Sequence, residues 1–169
     1  FRDAGFIVIA PDSNANGEIW PVWDAMRPAG TEGNPNPDVD LFDSLLDCVA
    51  AHHSVDKNRL YAAGHSAGGI MTNAWLSRRS DTFAGGIVAS GVFDLTGPTP
   101  TAPIEPMAVV VTWGGDNDAY SGSTAGETVP EINFAEQAAI ASQFWEGEAA
   151  VNQVHCRGND IGHAWVPVV

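Results

Sequence analysis

The chain has 169 residues, of which 44% are hydrophobic and 17% charged, as expected for one soluble globular domain. There are 21 acidic residues against 7 basic ones, and a net charge of −14 repels nucleic acid and anionic membranes, which excludes both as partners. No run reaches the roughly 18 apolar residues of a membrane span. The length of the chain predicts one domain over residues 1–169.

Strand and helix patterns alternate along the chain, which predicts a mostly parallel central sheet with flanking helices. Residues 11–37 are rich in Gly, Asn and Pro and predict a long loop with a binding role, because plain connectors are rarely that long. Asp38 or Asp40 is expected to cap the helix that follows. Strands are predicted at residues 6–10, 59–63, 84–90, 107–113 and 151–156, and helices at residues 39–53, 67–77 and 131–146.

Residues 64–68 (GHSAG) match the pattern G-x-S-x-G, which alone is weak evidence. Here the motif follows a predicted strand and opens a predicted helix, the setting in which a tight turn exposes Ser66 as a nucleophile. Side chains in place of the flanking glycines are expected to collide in such a turn. The Ala67 amide is a predicted oxyanion donor, and the His65 ring is expected to point away from the Ser66 hydroxyl. The alternative is that Ser66 is only a helix N-cap.

A nucleophilic serine needs a general base that is held by an acid, in the chain order serine, acid, histidine. His163 follows the last predicted strand and fits that order. His155 falls within the strand itself. His52 and His53 follow a helix and are expected on the surface.

Three carboxylates are candidates for the acid that orients His163. Asp116 and Asp118 follow the predicted strand 107–113 directly, and Asp94 follows the preceding strand. Any one of them also suits a turn-forming role beside glycine.

Cys48 and Cys156 are the only possible intrachain pair, and their spacing does not match a zinc site. A disulfide between them would close a long loop and stabilise a secreted chain by about 4 kcal/mol, whereas the alternative is two buried, inert thiols. The acidic composition favours a secreted or salt-adapted protein, and ordinary drift of surface charge explains it equally well. No metal or organic cofactor is implied.

Five segments carry a resemblance to a known family: residues 6–12 (FIVIAPD), 55–61 (VDKNRLY), 64–71 (GHSAGGIM), 114–118 (GGDND) and 162–165 (GHAW). Together they resemble the secreted esterases related to polyhydroxybutyrate depolymerases and to feruloyl and acetylxylan esterases. The resemblance implies an α/β-hydrolase fold and hydrolysis of an organic ester or polyester through Ser66. The family's G-x-x-D acid pattern favours Asp118, and its secreted members imply the Cys48–Cys156 pair.

Four side chains are predicted to contact an ester substrate: His65, Trp20, Trp23 and Trp165. Indole rings offer large apolar faces to an acyl group, and plain core packing is the alternative reading of the tryptophans. The alternative functions are a peptidase or thioesterase with the same three catalytic residues, and a non-catalytic binding domain of the same fold.

The chain departs from the family in the second oxyanion donor, which in these esterases lies on a loop after an earlier strand. We therefore expect a core fragment truncated before the first strands. Losing one donor costs about 3 kcal/mol of transition-state stabilisation, unless a group in residues 11–37 replaces it.

Overall fold

The computed structural model describes residues 4–11, 37–93, 103–124, 127–148, 151–156 and 160–165. Four parallel strands form one sheet in the order β1-β2-β3-β6, and β4 and β5 form a separate antiparallel hairpin. The elements are α1 (Pro37–Ala50), β1 (Tyr61–His65), α2 (Ala67–Arg78), β2 (Gly85–Ala89), β3 (Met107–Thr112), β4 (Ala119–Thr124), β5 (Glu127–Asn133), α3 (Phe134–Gly147) and β6 (Val151–Cys156).

The register of the sheet brings the carboxyl ends of its four strands to one level. His65 of β1 pairs with Ala89 of β2, Ala89 with Thr112 of β3, and Thr112 with Cys156 of β6. Residues that follow these strands therefore meet along a single edge. In open parallel sheets this edge is where ligand and catalytic sites form.

The main core lies between this sheet and the helices α2 and α3. Leu76 of α2 and Trp145 of α3 are fully buried against Val88 and Val109 of the central strands. On α3 the buried residues recur every three or four positions, which places them on one face of the helix. The Asn133 side chain caps α3, accepting hydrogen bonds from the amides of the second and third helical residues.

Most predicted elements are confirmed, with boundaries shifted by one to three residues in most of them. The expected strand at residues 6–10 is wrong: the segment is outside the sheet, and its Phe6, Ile7, Val8 and Ile9 are 43% to 63% exposed. An apolar run becomes a strand only where a neighbour pairs with it, and no described strand does so here.

The predicted helix cap is also not found, since Asp38 and Asp40 lie within α1, which begins at Pro37. Of the predicted loop 11–37, residues 12–36 lie outside the described residues.

The β4–β5 hairpin was not expected. Its sequence signal is weak, because only Tyr120 and Thr124 in β4 and Thr128, Val129 and Ile132 in β5 are aromatic or β-branched residues of the kind that favours strands. No element is predicted over residues 119–130 and the next helix is predicted to start at residue 131, whereas β5 runs to Asn133 and α3 begins at Phe134.

The expected disulfide is also wrong, since Cys48 and Cys156 are both free thiols in the structure. Cys48 lies exposed on α1, which packs on α2 beside β1 and β2, whereas Cys156 ends β6 at the opposite edge of the sheet. A disulfide needs Cα atoms within about 7 Å, and the width of the sheet separates these two elements.

Among the helices in the described ranges, none has the length and apolar character needed to cross a membrane.

Candidate active site

Ser66 occupies a strained turn between β1 and α2. Its backbone has φ 55° and ψ −120°, in the left-handed region that side chains rarely adopt. A Cβ atom on Gly64 would lie 2.0 Å from the Gly68 carbonyl oxygen, so only glycine fits at that position. Gly68 differs, because a Cβ atom at that position would meet nothing within 4 Å. The expectation that a side chain would collide is therefore wrong for Gly68.

The Ser66 side chain faces a histidine instead of capping the helix. Its hydroxyl makes no capping hydrogen bond to α2. Its Oγ lies 2.9 Å from Nε2 of His163, a residue 97 positions further along the chain. The N-cap interpretation of Ser66 therefore has no support in the structure.

His163 connects the serine to a buried carboxylate. Its Nδ1 lies 2.8 Å from Oδ1 of Asp118. Because a carboxylate only accepts hydrogen bonds, Nδ1 carries the proton and Nε2 is left to accept the Ser66 hydroxyl proton. The Asp118 side chain is fully buried and that of His163 is 22% exposed, so the His163 ring remains within reach of solvent.

Two further donors hold the other oxygen of Asp118. The Gly114 amide donates to Oδ2 at 2.8 Å, and the Ser90 hydroxyl donates to the same atom at 2.6 Å. Asp118 is thus the carboxylate that contacts His163, whereas Asp116 is exposed. Asp94 lies outside the described residues.

The segment that carries His163 packs directly on the segment that carries Asp118. The Gly114 carbonyl accepts hydrogen bonds from the amides of Ile161 (3.0 Å) and Gly162 (2.9 Å). A Cβ on Gly114 would lie 1.7 Å from the Gly162 carbonyl oxygen, so the two backbones touch at this point. The absence of a side chain at Gly114 therefore permits the close approach of the two segments that carry Asp118 and His163.

Aromatic rings surround the His163 imidazole. Phe134 stacks on it, with ring centroids 4.5 Å apart and planes 13° apart, and Tyr120 lies at 6.1 Å. The His65 ring lies at 4.8 Å from His163 and 6.0 Å from Trp165. These contacts limit the room in which the His163 ring can turn.

His65 has a perturbed pKa in this setting. Burial, and secondarily the neighbouring His163, lowers the pKa of His65 below its ordinary value of 6.5. Its Nε2 atom is buried and has no hydrogen-bond partner among the described residues. The neutral form of His65 is therefore favoured beside the His163 ring.

The predicted substrate-contacting residues divide into two groups. His65 lies beside His163, and Trp165, 48% exposed, lies next to His65. Trp20 and Trp23 lie outside the described residues. The other histidines are where the sequence predicted them, with His155 in β6 and His52 and His53 exposed after α1. Within the described ranges no group of three His, Cys, Asp or Glu residues is placed to hold a metal ion.

Three neighbours of the site were not anticipated: Ser90, Tyr120 and Phe134. Ser90 follows β2 as Ser66 follows β1, so its place at the end of a predicted strand was the available signal. Phe134 and Tyr120 follow from the unpredicted hairpin, which leads from the Asp118 loop into α3.

Comparison with curated proteins gives relatives that are hydrolases. The chain is 27% identical over 215 residues to an oxidized polyvinyl alcohol hydrolase from Pseudomonas sp, a match that covers 96% of this chain and 56% of the relative. It is 34% identical over 90 residues to feruloyl esterase B from Thermothelomyces thermophilus, which covers 53% of this chain and 30% of that enzyme. The sequence resemblance to feruloyl esterases is thereby confirmed. The chain spans about half the length of the first of these relatives.

A solved structure with the same fold is the complex of pNPB with a serine-to-alanine variant of pOPH. It is 25% identical, has a TM-score of 0.71, and covers 93% of this chain and 57% of its own. The parallel sheet, its helices and this likeness identify an α/β-hydrolase fold. The model of the prolyl oligopeptidase family matches residues 1–125, a stretch that contains both Ser66 and Asp118. The chain therefore belongs to the prolyl oligopeptidase family.

Proposed function

We propose that this chain is a serine carboxylic ester hydrolase that works through an acyl-enzyme. The observation that carries the proposal is the continuous hydrogen-bond path from the Ser66 hydroxyl through His163 to the buried Asp118. Each member lies at the end of a strand of a rigid sheet or on a segment packed against it, so the path is held before substrate arrives. The relatives named as hydrolases and esterases support the same reaction class.

The first half of the reaction forms the acyl-enzyme. His163 Nε2 takes the proton of the Ser66 hydroxyl while Oγ attacks the ester carbonyl carbon. The carboxylate of Asp118 stabilises the imidazolium that results. His163 then gives its proton to the alcohol oxygen as the carbon–oxygen bond breaks, which releases the alcohol and leaves the acyl group on Ser66.

The second half returns the enzyme to its starting state. The same histidine takes a proton from water, the hydroxide attacks the acyl carbon, and the acid leaves as Ser66 regains its proton. The Ala67 amide at the start of α2 is the proposed donor to the negative oxygen in both halves. His65 and Trp165 beside the base are the proposed contacts of the acyl or alcohol group.

The test is hydrolysis of a p-nitrophenyl ester of a short acid by the wild type and by Ser66→Ala. We expect the rate to fall by at least about 10⁴-fold, because removal of the nucleophile disables the whole relay. Ser77→Ala is the matched control, since Ser77 is a buried serine of α2, the helix that follows Ser66, and its hydroxyl donates to the Ala74 carbonyl. Equal rates for Ser66→Ala and the control would contradict the proposal.

A fluorophosphonate probe separates this proposal from a non-catalytic domain of the same fold. The probe reacts only with an activated serine, so we expect it to label the wild type and not Ser66→Ala. A wild-type chain that resists the probe would indicate a binding domain instead. Turnover of matched peptide, thioester and ester substrates distinguishes the peptidase and thioesterase alternatives, because their chemistry shares Ser66 and differs only in the pocket.

A second candidate reaction is favoured by the relative that covers 96% of the chain and is named oxidized polyvinyl alcohol hydrolase. Polyvinyl alcohol carries a hydroxyl on alternate carbons, so its oxidation gives carbonyl pairs that flank one carbon. Ser66 would attack one carbonyl, and the carbon–carbon bond would break with its electron pair held as the enolate of the other. That enolate takes the His163 proton and becomes a ketone, and the carbonyl carbon that was attacked stays on Ser66 as an acyl group, which water removes as in ester hydrolysis. A kcat/KM on a simple 1,3-diketone that exceeds the value on the ester would favour this candidate.

We further propose that residues 1–169 act as one catalytic domain outside the cell, on a small or polymeric ester. The composition supports this location: the chain has 21 acidic and 7 basic residues, and a large net negative charge keeps a protein soluble outside the cell. Detection of the protein in washed cells alone, with none in the culture medium, would contradict the location.

A further inference from the structure

Ser90 lies directly after β2, at the edge of the sheet where the catalytic residues meet. Its backbone has φ 45°, in the left-handed region that favours glycine, and its amide donates to the Thr112 carbonyl of β3 at 2.8 Å. The side chain is 1% exposed. A serine held in this conformation costs about 1 kcal/mol relative to glycine, so a role for its side chain is worth seeking.

The Ser90 hydroxyl meets the oxygen of Asp118 that His163 does not use. It donates to Oδ2 at 2.6 Å, and the Gly114 amide donates to the same atom at 2.8 Å. Oδ1 is left to accept the Nδ1 proton of His163 at 2.8 Å. The two donors on Oδ2 thus fix the rotation of the carboxylate and leave one oxygen directed at the base.

We propose that Ser90 is a positioning residue of the reaction, whose hydroxyl locks Asp118 so that Oδ1 orients His163 toward Ser66. This inference rests on the proposed function and deepens it. Ser90 acts only through Asp118, without contact to the reacting atoms. Its anchor to β3 means that the sheet itself sets the angle of the acid.

Loss of the hydroxyl has a consequence that a purely structural serine would not have. Asp118 keeps one donor on Oδ2, the Gly114 amide, and gains freedom to rotate away from His163. Its Oδ1 then no longer holds the Nδ1 proton in one place, so the imidazole is directed at Ser66 for less of the time. The loss falls on the step in which His163 takes the Ser66 proton and not on substrate binding, so kcat should change and KM should not.

Two substitutions separate the hydroxyl from the backbone conformation. Ser90→Ala removes the hydroxyl and keeps a Cβ in the left-handed region, whereas Ser90→Gly removes the same hydroxyl and suits φ 45°. If the hydroxyl matters, both variants lose activity to a similar degree. Ser77→Ala serves again as the control, because it removes a buried serine hydroxyl far along α2 from the acid.

The experiment measures kcat and KM of ester hydrolysis for these variants. We expect kcat to fall about tenfold or more for both Ser90 variants, with KM within about twofold of wild type, because a hydrogen bond to a charged group is lost. Both constants are expected to stay at their wild-type values in the Ser77→Ala control. Wild-type kcat in Ser90→Gly would overturn the proposal.

A measurement without turnover keeps this inference distinct from the proposed function. The Nδ1 proton of His163 is observed by NMR in Ser66→Ala, with and without Ser90→Ala. We expect its resonance to shift or broaden when Ser90 is changed and to remain in place when Ser77 is changed. If the resonance does not move, the role of Ser90 is overturned, even where ester hydrolysis is found to depend on Ser66. If it moves, the role of Ser90 is supported, even where no ester hydrolysis is found.

Discussion

Gly114→Ala is predicted to inactivate the protein by separating the base from the acid. The added Cβ would lie 1.7 Å from the Gly162 carbonyl oxygen, and real Cβ contacts essentially never fall under 3.0 Å. The two segments must therefore move apart by about 1.3 Å. Gly162 immediately precedes His163, so most of that displacement reaches the imidazole. A 2.8 Å contact lengthened by this amount is no longer a hydrogen bond.

A misplacement of about 1 Å in a catalytic group costs about 100-fold in rate, so we expect kcat to fall by at least that factor. The assay is initial-rate hydrolysis of a p-nitrophenyl ester, with a thermal melt to confirm that the variant is folded. Gly147→Ala is the control, because a Cβ at that glycine would meet nothing within 4 Å. A folded Gly114→Ala variant with wild-type kcat would refute the reasoning.

The remaining predictions concern the acid, a buried histidine and a helix cap. Asp118→Asn is expected to reduce kcat by about 10⁴-fold, because an amide stabilises the wrong tautomer of His163. The control Asp116→Asn, at an exposed site, should change kcat by less than about twofold. Similar losses of kcat in the two variants would exclude Asp118 as the acid. His65 has a folded pKa below its ordinary 6.5, so the unfolded chain binds its proton more readily, and the stability that His65 contributes is complete above pH 6.5 and lost as the pH falls through the folded pKa. Urea unfolding from pH 5 to pH 8 should therefore show a smaller loss of stability toward acid in His65→Gln than in the wild type, and identical slopes would contradict this. Asn133→Ala is expected to lower the free energy of unfolding by about 1 kcal/mol, because the α3 cap is lost. An unfolding midpoint in urea equal to that of the wild type would contradict a stabilising role of this cap.

The sequence could predict the parts of the site that depend on topology. Ser66 and Asp118 each follow a strand of the parallel sheet, and parallel strands bring their carboxyl ends together, so their proximity needs no side-chain detail. His163 was predicted from its place after the last strand. The sheet order and the helices that pack on it follow from the same alternation.

Other parts depend on information that no short pattern carries. Ser90 contacts Asp118 because of a single left-handed φ angle, which its sequence neighbours do not specify. Phe134 has the same spacing as the buried face of α3, so its stacking on His163 could not be separated from ordinary core packing. The apolar residues 6–10 have the composition of a strand, but pairing is a property of the neighbour and not of the segment.

The contacts that build the site span long stretches of chain. Ser66 and His163 are 97 positions apart, His163 and Asp118 are 45 apart, and Ser90 and Asp118 are 28 apart. Contacts of such sequence separation form late in folding, because closing each loop costs entropy before any contact compensates for it. Enzymatic activity should therefore return during refolding only when the whole four-stranded sheet has paired. The rate of hydrolysis would then serve as a kinetic probe of the final folding step, later than the return of helical circular dichroism.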